Sequence, residues 1–140
     1  MDSFNGKTVL ITGASSGIGE AFAKKLASEK ANLIITARSK EKLYSLAEDL
    51  ESAHSIRVHV YPMDLSEPGG ARNLYEKIKE SGLSIDVLIN NAGFGKSSKF
   101  LDTGAEFYKS MITLNVNSLV ELCYLCLPEM LQKNEGGVIN

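Results

Sequence analysis

Residues 12–19, with the sequence TGASSGIG, follow the apolar run 9–11 and precede an amphipathic stretch that begins at Glu20. A glycine-rich turn between a strand and a helix can bind a phosphate, because backbone N–H groups and the positive end of the helix dipole face the anion. Glycine has no side chain, so the anion can approach the main chain closely. These residues therefore predict a nucleotide cofactor; the alternative is a tight turn with no ligand.

The residues after the second apolar run indicate which dinucleotide would bind. Sites of this kind usually place a carboxylate about 20 residues beyond the glycine turn for NAD, or an arginine for the 2′-phosphate of NADP. Residues 36–40 read TARSK, and the next carboxylate is Glu41. Arg38 can offer a planar, charge-assisted fork to a phosphate. We therefore expect NADP over NAD, although Arg38 and Lys40 could instead be solvated charges at a helix start.

Short apolar runs alternate with helical patterns along the chain, and this alternation places the glycine turn at the end of a strand. Helices of about ten to fifteen residues between strands imply right-handed crossovers and a parallel sheet. A ligand then binds at the carboxyl ends of the strands. The expectation is an α/β fold with a doubly wound parallel sheet in three α/β/α layers. Strands are predicted near residues 8–11, 33–36, 58–61, 85–89 and 138–139, and helices over residues 17–29, 40–50, 67–81 and 105–133.

Local details of three helices can also be predicted. Ser66 is a plausible N-cap of the third helix, with Pro68 in its first turn. Pro128 should kink or break the long fourth helix. Helical spacing in the first helix suggests one buried face, formed by Ile18, Ala21, Phe22 and Leu26.

Composition narrows the function classes. The 140 residues are 44% hydrophobic, enough for one domain with one core. With 15 basic and 17 acidic residues, the net charge of −2 argues against nucleic acid as a partner. No signal peptide is predicted, because residues 1–6 contain neither a basic nor an apolar run, and no membrane span is predicted, because Glu121 interrupts the most apolar run. We expect a cytoplasmic protein without a membrane partner.

Four segments in matching order and spacing resemble the short-chain dehydrogenase/reductase family. They are Thr12-Gly13 followed by Gly17-Ile18-Gly19, then Asp64-Leu65, then Asn90-Asn91-Ala92-Gly93, and finally Asn115 within Leu114-Asn115-Val116. A glycine-rich turn alone is weak evidence, whereas four motifs in register across nearly the whole chain are specific. The resemblance implies a Rossmann fold that binds a nicotinamide dinucleotide.

The resemblance also implies roles for individual residues. The pyrophosphate would lie over residues 13–19, with Ile18 on the nicotinamide side. Asp64 and Leu65 would meet the adenine, although Asp64 is nearly as well explained as a turn or cap residue. Asn115 would lie at a helix distortion and help to hold a water in the catalytic proton relay. Together with Arg38, the implied cofactor contacts are Gly13, Ser15, Ser16, Gly17, Ile18, Gly19, Asp64, Leu65, Asn91, Ala92 and Gly93.

The family's catalytic Tyr-x-x-x-Lys pair lies beyond a fifth strand, and this sequence ends at the start of that strand. Tyr75 and Lys79 have the same spacing, but they precede the Asn-Asn-Ala-Gly motif, so chance is the better explanation. We expect the cofactor-binding half of an enzyme acting on a small carbonyl or alcohol, inactive by itself. The alternative is a non-catalytic dinucleotide-binding or sensing module. An incomplete fifth strand should leave the fourth as an open edge, which favours a homo-oligomer.

The cysteines and histidines suggest no further chemistry. Cys123 and Cys126 form a C-x-x-C string within a helix, without the helix N-terminus that activates redox thiols, so packing is expected. His54 and His59 have no partners at zinc-like spacing, and no metal site is predicted. Two cysteines fit a reducing compartment.

Overall fold

Five short apolar segments form one sheet, with helices on both of its faces. This computed structural model describes residues 3–140. The strands are β1 Thr8–Thr12, β2 Asn32–Ala37, β3 Val58–Pro62, β4 Val87–Ile89 and β5 Gly137–Ile139. The helices are α1 Gly17–Ser28, α2 Lys40–His54, α3 Gly70–Glu80, α4 Ala105–Ile112 and α5 Leu119–Lys133, with a π-helical segment, Thr113–Ser118, between α4 and α5.

The sheet is parallel throughout and has the order β3-β2-β1-β4-β5. The chain builds outward from β1 to β3 and then returns to place β4 on the other side of β1. The direction of winding therefore reverses between β1 and β4, where ligands of such sheets bind at the carboxyl ends. The predicted doubly wound α/β fold is confirmed.

Two apolar clusters fill the space between the sheet and its helices. Val9 and Ile11 of β1 pack with α1 and α2 on one face, while Leu10 packs with α3 and α5 on the other. A strand that is buried on both faces needs a continuous apolar run rather than an alternating one. The sheet is therefore the middle of three layers.

The buried face of α1 differs from the predicted one. Ile18 is 70% exposed, and the buried residues are Gly19, Ala23, Leu26 and Ala27. Three of these four are Gly or Ala at intervals of four, which lets the helix approach the sheet closely. Leu26 is the one residue of the predicted face that is buried. The prediction favoured large apolar side chains, whereas the close contact of α1 with the sheet requires small residues.

The start of α3 also differs from the prediction. The helix begins at Gly70 with Gly69 as its N-cap, three residues later than a cap at Ser66 would require. The backbone N–H and hydroxyl of Ser66 both donate to Asp64 Oδ1, at 2.9 and 2.6 Å. Asp64 thus holds Ser66 in a turn, and this local pairing competes with helix initiation.

The irregular part of the long fourth helix is not at Pro128. Helix α5 continues through that residue to Lys133, and the departure from α-helical geometry is the π-helical segment. Pro128 has no N–H group, so the carbonyl of Tyr124 lacks the hydrogen bond that residue 128 would otherwise donate to it. Tyr124 is 76% exposed, so that carbonyl lies in a part of the helix that faces away from the sheet.

The carboxyl-terminal segment pairs with β4 along its whole length. Val87, Leu88 and Ile89 face residues 137–139, and Asn90 N donates to Ile139 O at 2.8 Å. The expectation that β4 would be an open edge is therefore wrong, since three residues suffice to cover a three-residue strand. The edges of the sheet are β3 and β5.

The outer surface of the last helices is apolar. Among residues 3–140, the helical stretch Ala105–Lys133 is long and apolar enough to cross a membrane, judged by length and composition alone. Within its most apolar 18-residue segment, 17% is buried in the structure. We use "apolar stripe" for its exposed side chains that recur every three or four residues: Ile112, Val116, Val120, Tyr124, Leu127 and Leu131.

Candidate functional site

A cavity of about 760 Å³ opens at the carboxyl ends of the strands, beside the point where the winding reverses. Pockets of roughly 300–1,000 Å³ are typical of sites for small molecules and cofactors. Gly17, Gly19 and Asn115 do not line it. Ten of the residues predicted from the sequence line it: Gly13, Ser15, Ser16, Ile18, Arg38, Asp64, Leu65, Asn91, Ala92 and Gly93.

The turn between β1 and α1 presents fewer free N–H groups than its sequence suggests. Gly13 and Ala14 donate their N–H groups to Thr36 O, at 2.8 and 3.2 Å, so these two are used within the sheet. The first-turn N–H groups of α1 have no intrahelical acceptors. Ser16 is the N-cap of α1, and its hydroxyl makes no capping hydrogen bond. The part of the turn suited to an anion is therefore residues 15–18.

Close backbone packing explains two of the glycines. A Cβ on Gly19 would overlap Gly13 O and Asn91 Nδ2, and one on Gly13 would lie 2.9 Å from Ala92 Cα. Gly13 also has φ +68°, in the left-handed region that favours glycine. The protein needs glycine at these positions to bring α1 and the loop after β4 together, independently of any ligand.

A small hydrogen-bond network joins β1 to the loop after β4. The N–H groups of Asn91 and Ala92 donate to Thr12 Oγ1, at 3.0 and 2.9 Å. Asn91 Nδ2 donates to the carbonyl oxygens of Thr12 and Gly13, at 3.0 and 3.1 Å. The carboxyl ends of β1 and β4 are thus linked through Thr12 and Asn91.

The end of the cavity next to β2 is cationic. Arg38, Ser39 and Lys42 line it, and Ser39 is the N-cap of α2 with no side-chain capping hydrogen bond. Lys40 points elsewhere, with its Nζ 6.0 Å from the centre of the Tyr44 ring. Asp64 forms the turn described above and also lines the cavity, so its turn role is seen and its contact with the adenine stays a prediction.

One buried polar atom at the cavity wall has no partner. Thr36 is fully buried, and within residues 3–140 its Oγ1 is the buried side-chain polar atom that makes no hydrogen bond. Such a group costs roughly 1–3 kcal/mol unless a ligand or water satisfies it. The donor set and the close glycine turn fit an anionic dinucleotide.

Asn115 lies in the π-helical segment, and its side chain bonds to the loop after β4. Its Oδ1 accepts from Phe94 N at 3.1 Å, and its Nδ2 donates to Phe94 O at 2.9 Å. Phe94 and the neighbouring Leu114 line the cavity, whereas Asn115 does not. The expected helix distortion is present at this residue, and the geometry makes Asn115 a positioning residue for Phe94.

Comparison with known proteins identifies the family. The profile of a family described as short chain dehydrogenase matches residues 7–140. The chain belongs to the short-chain dehydrogenase family. The predicted Rossmann fold is confirmed, since solved members of the family superpose on nearly the whole chain.

Three similar proteins illustrate the relationship. An NADP-dependent 3-hydroxy acid dehydrogenase from Schizosaccharomyces pombe is 36% identical over all of this chain and 55% of its own length. A short-chain dehydrogenase from Sphingobium yanoikuyae, solved with NADPH, is 36% identical with a TM-score of 0.87, over 94% of this chain and 51% of that one. L-Sorbose reductase from Gluconobacter frateurii, solved with NADPH and L-sorbose, is 32% identical with a TM-score of 0.89, over 99% and 53%. The chain spans about half the length of the relatives it matches.

The Tyr-x-x-x-Lys string of this short-chain dehydrogenase is remote from the cavity. Neither Tyr75 nor Lys79 lines it, and Lys79 donates to Glu129 at 2.9 Å. A hydrogen bond from Ser84, with further help from Lys79, lowers the pKa of Glu129 to about 2. Lys79 therefore belongs to a charged network between α3 and α5.

The cysteines of this short-chain dehydrogenase pack in the core or beside it. Both are free thiols, and burial raises the pKa of Cys126 to about 12, which makes it unreactive. Cys123 is half-buried and accepts a hydrogen bond from Asn90 Nδ2 at 3.3 Å. Over the described part of the chain, no group of three or more His, Cys, Asp or Glu side chains could hold a metal ion.

Several residues that line the cavity had no predicted role. Thr36 and Met63 belong to no recognised motif, and Leu114 belongs to one in which Asn115 alone was given a role. Lys42 could have been found, because it lies three residues after Ser39, the N-cap of α2, and residues three apart lie on the same side of a helix. Thr12 was part of the recognised motif, although its hydrogen bonds across the sheet were not foreseen.

Proposed function

We propose that this short-chain dehydrogenase binds NADP and that it is the cofactor-binding half of an oxidoreductase acting on a carbonyl or alcohol. One observation carries the proposal: an anion-binding turn and a cationic end share a single cavity at the carboxyl ends of the strands. Because the chain spans about half the length of its relatives, the activity of the whole enzyme is part of the proposal.

The cavity residues can be given binding roles. The pyrophosphate would lie against Ser15, Ser16 and the first turn of α1, with Gly17 and Gly19 keeping the backbone close. The adenosine would lie between Arg38 and Asp64, with Leu65 at the adenine, and residues 91–93 would line the ribose. Ile18, which is exposed at the cavity, suits the nicotinamide side. Similarity to two enzymes solved with NADPH supports this assignment.

When bound, NADPH supplies a hydride to a carbonyl carbon. The residues of this chain bind and orient the cofactor, and Phe94 and Leu114 bound the cavity on its apolar side. Among residues 3–140, the side chains that line the cavity include one carboxylate, Asp64, and no tyrosine. We expect no NADPH oxidation by these 140 residues with any carbonyl substrate. A water held near Asn115 stays a prediction.

Equilibrium titration with NADPH and NADH tests the proposal. We expect NADPH to bind more tightly by about tenfold, because a charge-assisted contact to the 2′-phosphate is absent with NADH. Arg38→Ala should remove most of this preference, whereas Arg57→Ala, an exposed arginine away from the cavity, should leave it unchanged. Failure to bind either dinucleotide would contradict the proposed function. An unchanged preference for NADPH over NADH in Arg38→Ala would contradict only the proposed role of Arg38.

We also propose a homo-oligomer that buries the apolar stripe, in a cytoplasmic protein. In the apolar stripe, Val116, Val120 and Tyr124 are each more than half exposed to solvent. Contiguous apolar surface of this kind usually marks an interface. Two free thiols fit a reducing compartment.

A further inference from the structure

Two cations converge on one end of the cavity without carboxylate partners. Arg38 and Lys42 both line it, and within residues 3–140 neither forms an ion pair. Lys24, Lys79 and Lys133, by contrast, are each bound to a nearby glutamate or aspartate. Cations that line one cavity and form no ion pair favour an anionic group within it.

The position of Lys42 in α2 has no evident structural benefit. Ser39 is the N-cap, so Lys42 is the third helical residue, where the positive end of the helix dipole disfavours a cation. Its side chain is exposed, and it also lines the adjoining hollow that contains Ser15 and Ser16. Lys42 therefore lies between the β2 end of the cavity and the glycine turn.

The same cavity is lined by Thr36 of β2, whose buried hydroxyl makes no hydrogen bond. Thr36 is fully buried and lines the same cavity as Lys42, and Ser39 adds a second hydroxyl without a capping hydrogen bond. The helix end, two cations and a buried hydroxyl without a partner together describe a site for a phosphate.

We propose that Lys42 is a specificity-determining residue, which binds the 2′-phosphate of NADP together with Arg38. This inference rests on the proposed function, because it assumes that a dinucleotide occupies the cavity. Arg38 would bind the phosphate through its planar guanidinium, and Lys42 would supply a second charge from the opposite direction along α2. Lys40, although closer to Arg38 in sequence, is excluded because it lies over Tyr44.

The test compares two small probes that differ only in the 2′-phosphate, namely 2′,5′-ADP and 5′-AMP. Calorimetry on the full 140-residue chain gives the preference for 2′,5′-ADP in the wild type and in Lys42→Gln. We expect the substitution to lower this preference about three- to tenfold, as suits one exposed ionic contact. Lys42→Arg should keep most of the preference, and Lys40→Gln is the matched control that should leave it within about twofold.

Salt dependence provides a second measurement that does not depend on catalysis. The wild-type preference should fall as ionic strength rises, and it should fall less steeply in Lys42→Gln, because one screened contact has been removed. An unchanged preference in a folded Lys42→Gln variant would overturn the proposal while leaving the proposed function intact. A wild type that binds both probes equally would instead count against NADP selection as a whole.

Discussion

At the residue scale, the glycine turn has a packing role in the fold as well as a proposed role in ligand binding. Gly19 lies against Gly13 O and the Asn91 side chain, and Gly13 lies against the backbone of Ala92. Both contacts are with backbone or with a hydrogen-bonded amide, so they cannot yield as a flexible side chain would. The motif that identifies a phosphate cradle in the sequence is therefore also the packing contact that sets the rotation of α1.

Substitution at Gly19 tests this double role. Gly19→Ala should lower the free energy of unfolding by about 2 kcal/mol, since a methyl group there overlaps fixed atoms. Urea unfolding followed by circular dichroism measures the change. Gly95→Ala is the matched control, because a Cβ at Gly95 meets no heavy atom within 4 Å. Equal stability of the two variants would show that α1 can shift without cost.

At the element scale, the π-helical segment determines where the long helix meets the cavity. Between α4 and α5 the chain departs from α-helical geometry at Thr113–Ser118. Within this segment, the Asn115 side chain accepts a hydrogen bond from Phe94 N and donates one to Phe94 O. A single residue thus connects a helix irregularity to the loop after β4. Pro128, the more obvious sequence signal, leaves α5 unbroken.

Removing the Asn115 amide should loosen this loop. Asn115→Ala loses two hydrogen bonds to a partly exposed backbone, and we expect a loss of about 1 kcal/mol in the free energy of unfolding. Hydrogen exchange at the Phe94 amide should accelerate more than exchange in the sheet. Asn117→Ala is the control: Asn117 is exposed in the same segment and makes no side-chain hydrogen bond within residues 3–140. Similar exchange in both variants would contradict the positioning role.

At the scale of the whole molecule, the two faces of the sheet are covered differently. Helices α1 and α2 cover one face with polar outer surfaces, whereas α5 on the other face exposes the apolar stripe. Strand β5 forms backbone hydrogen bonds with β4, so β4 is not an open edge. The apolar stripe is therefore the surface that favours association.

A charge placed in the stripe should disrupt self-association. We expect the wild type to form dimers or larger species, and Val120→Lys should raise the dissociation constant at least about tenfold, because a lysine would have to be desolvated at the interface. Light scattering coupled to size-exclusion chromatography over a range of concentrations measures this. Ser52→Lys adds the same charge to the exposed surface of α2 on the other layer and should have no effect. A wild type that stays monomeric throughout would contradict the proposal.

Local patterns were sufficient to predict the strands, the helical segments between them and the parallel sheet, because apolar periodicity and turn residues act over a few positions. They also placed a ligand site at the carboxyl ends of the strands and indicated Arg38, which follows β2. Asn91 and most other cavity residues came instead from the resemblance to the short-chain dehydrogenase/reductase family, and the structure brings both Arg38 and Asn91 to the cavity.

Tertiary contacts determined the remaining features. The buried face of α1 depends on which small residues meet the sheet, and the start of α3 depends on the hydrogen bonds of Asp64 with Ser66. The separation of Lys42 from Lys40 depends on the direction in which each side chain leaves α2. The amino-acid sequence by itself thus determined the fold and the chemistry of the cradle, because these follow from residue type and spacing. The tertiary structure decided which side chains reach the cavity, because that depends on how elements distant in sequence pack against one another.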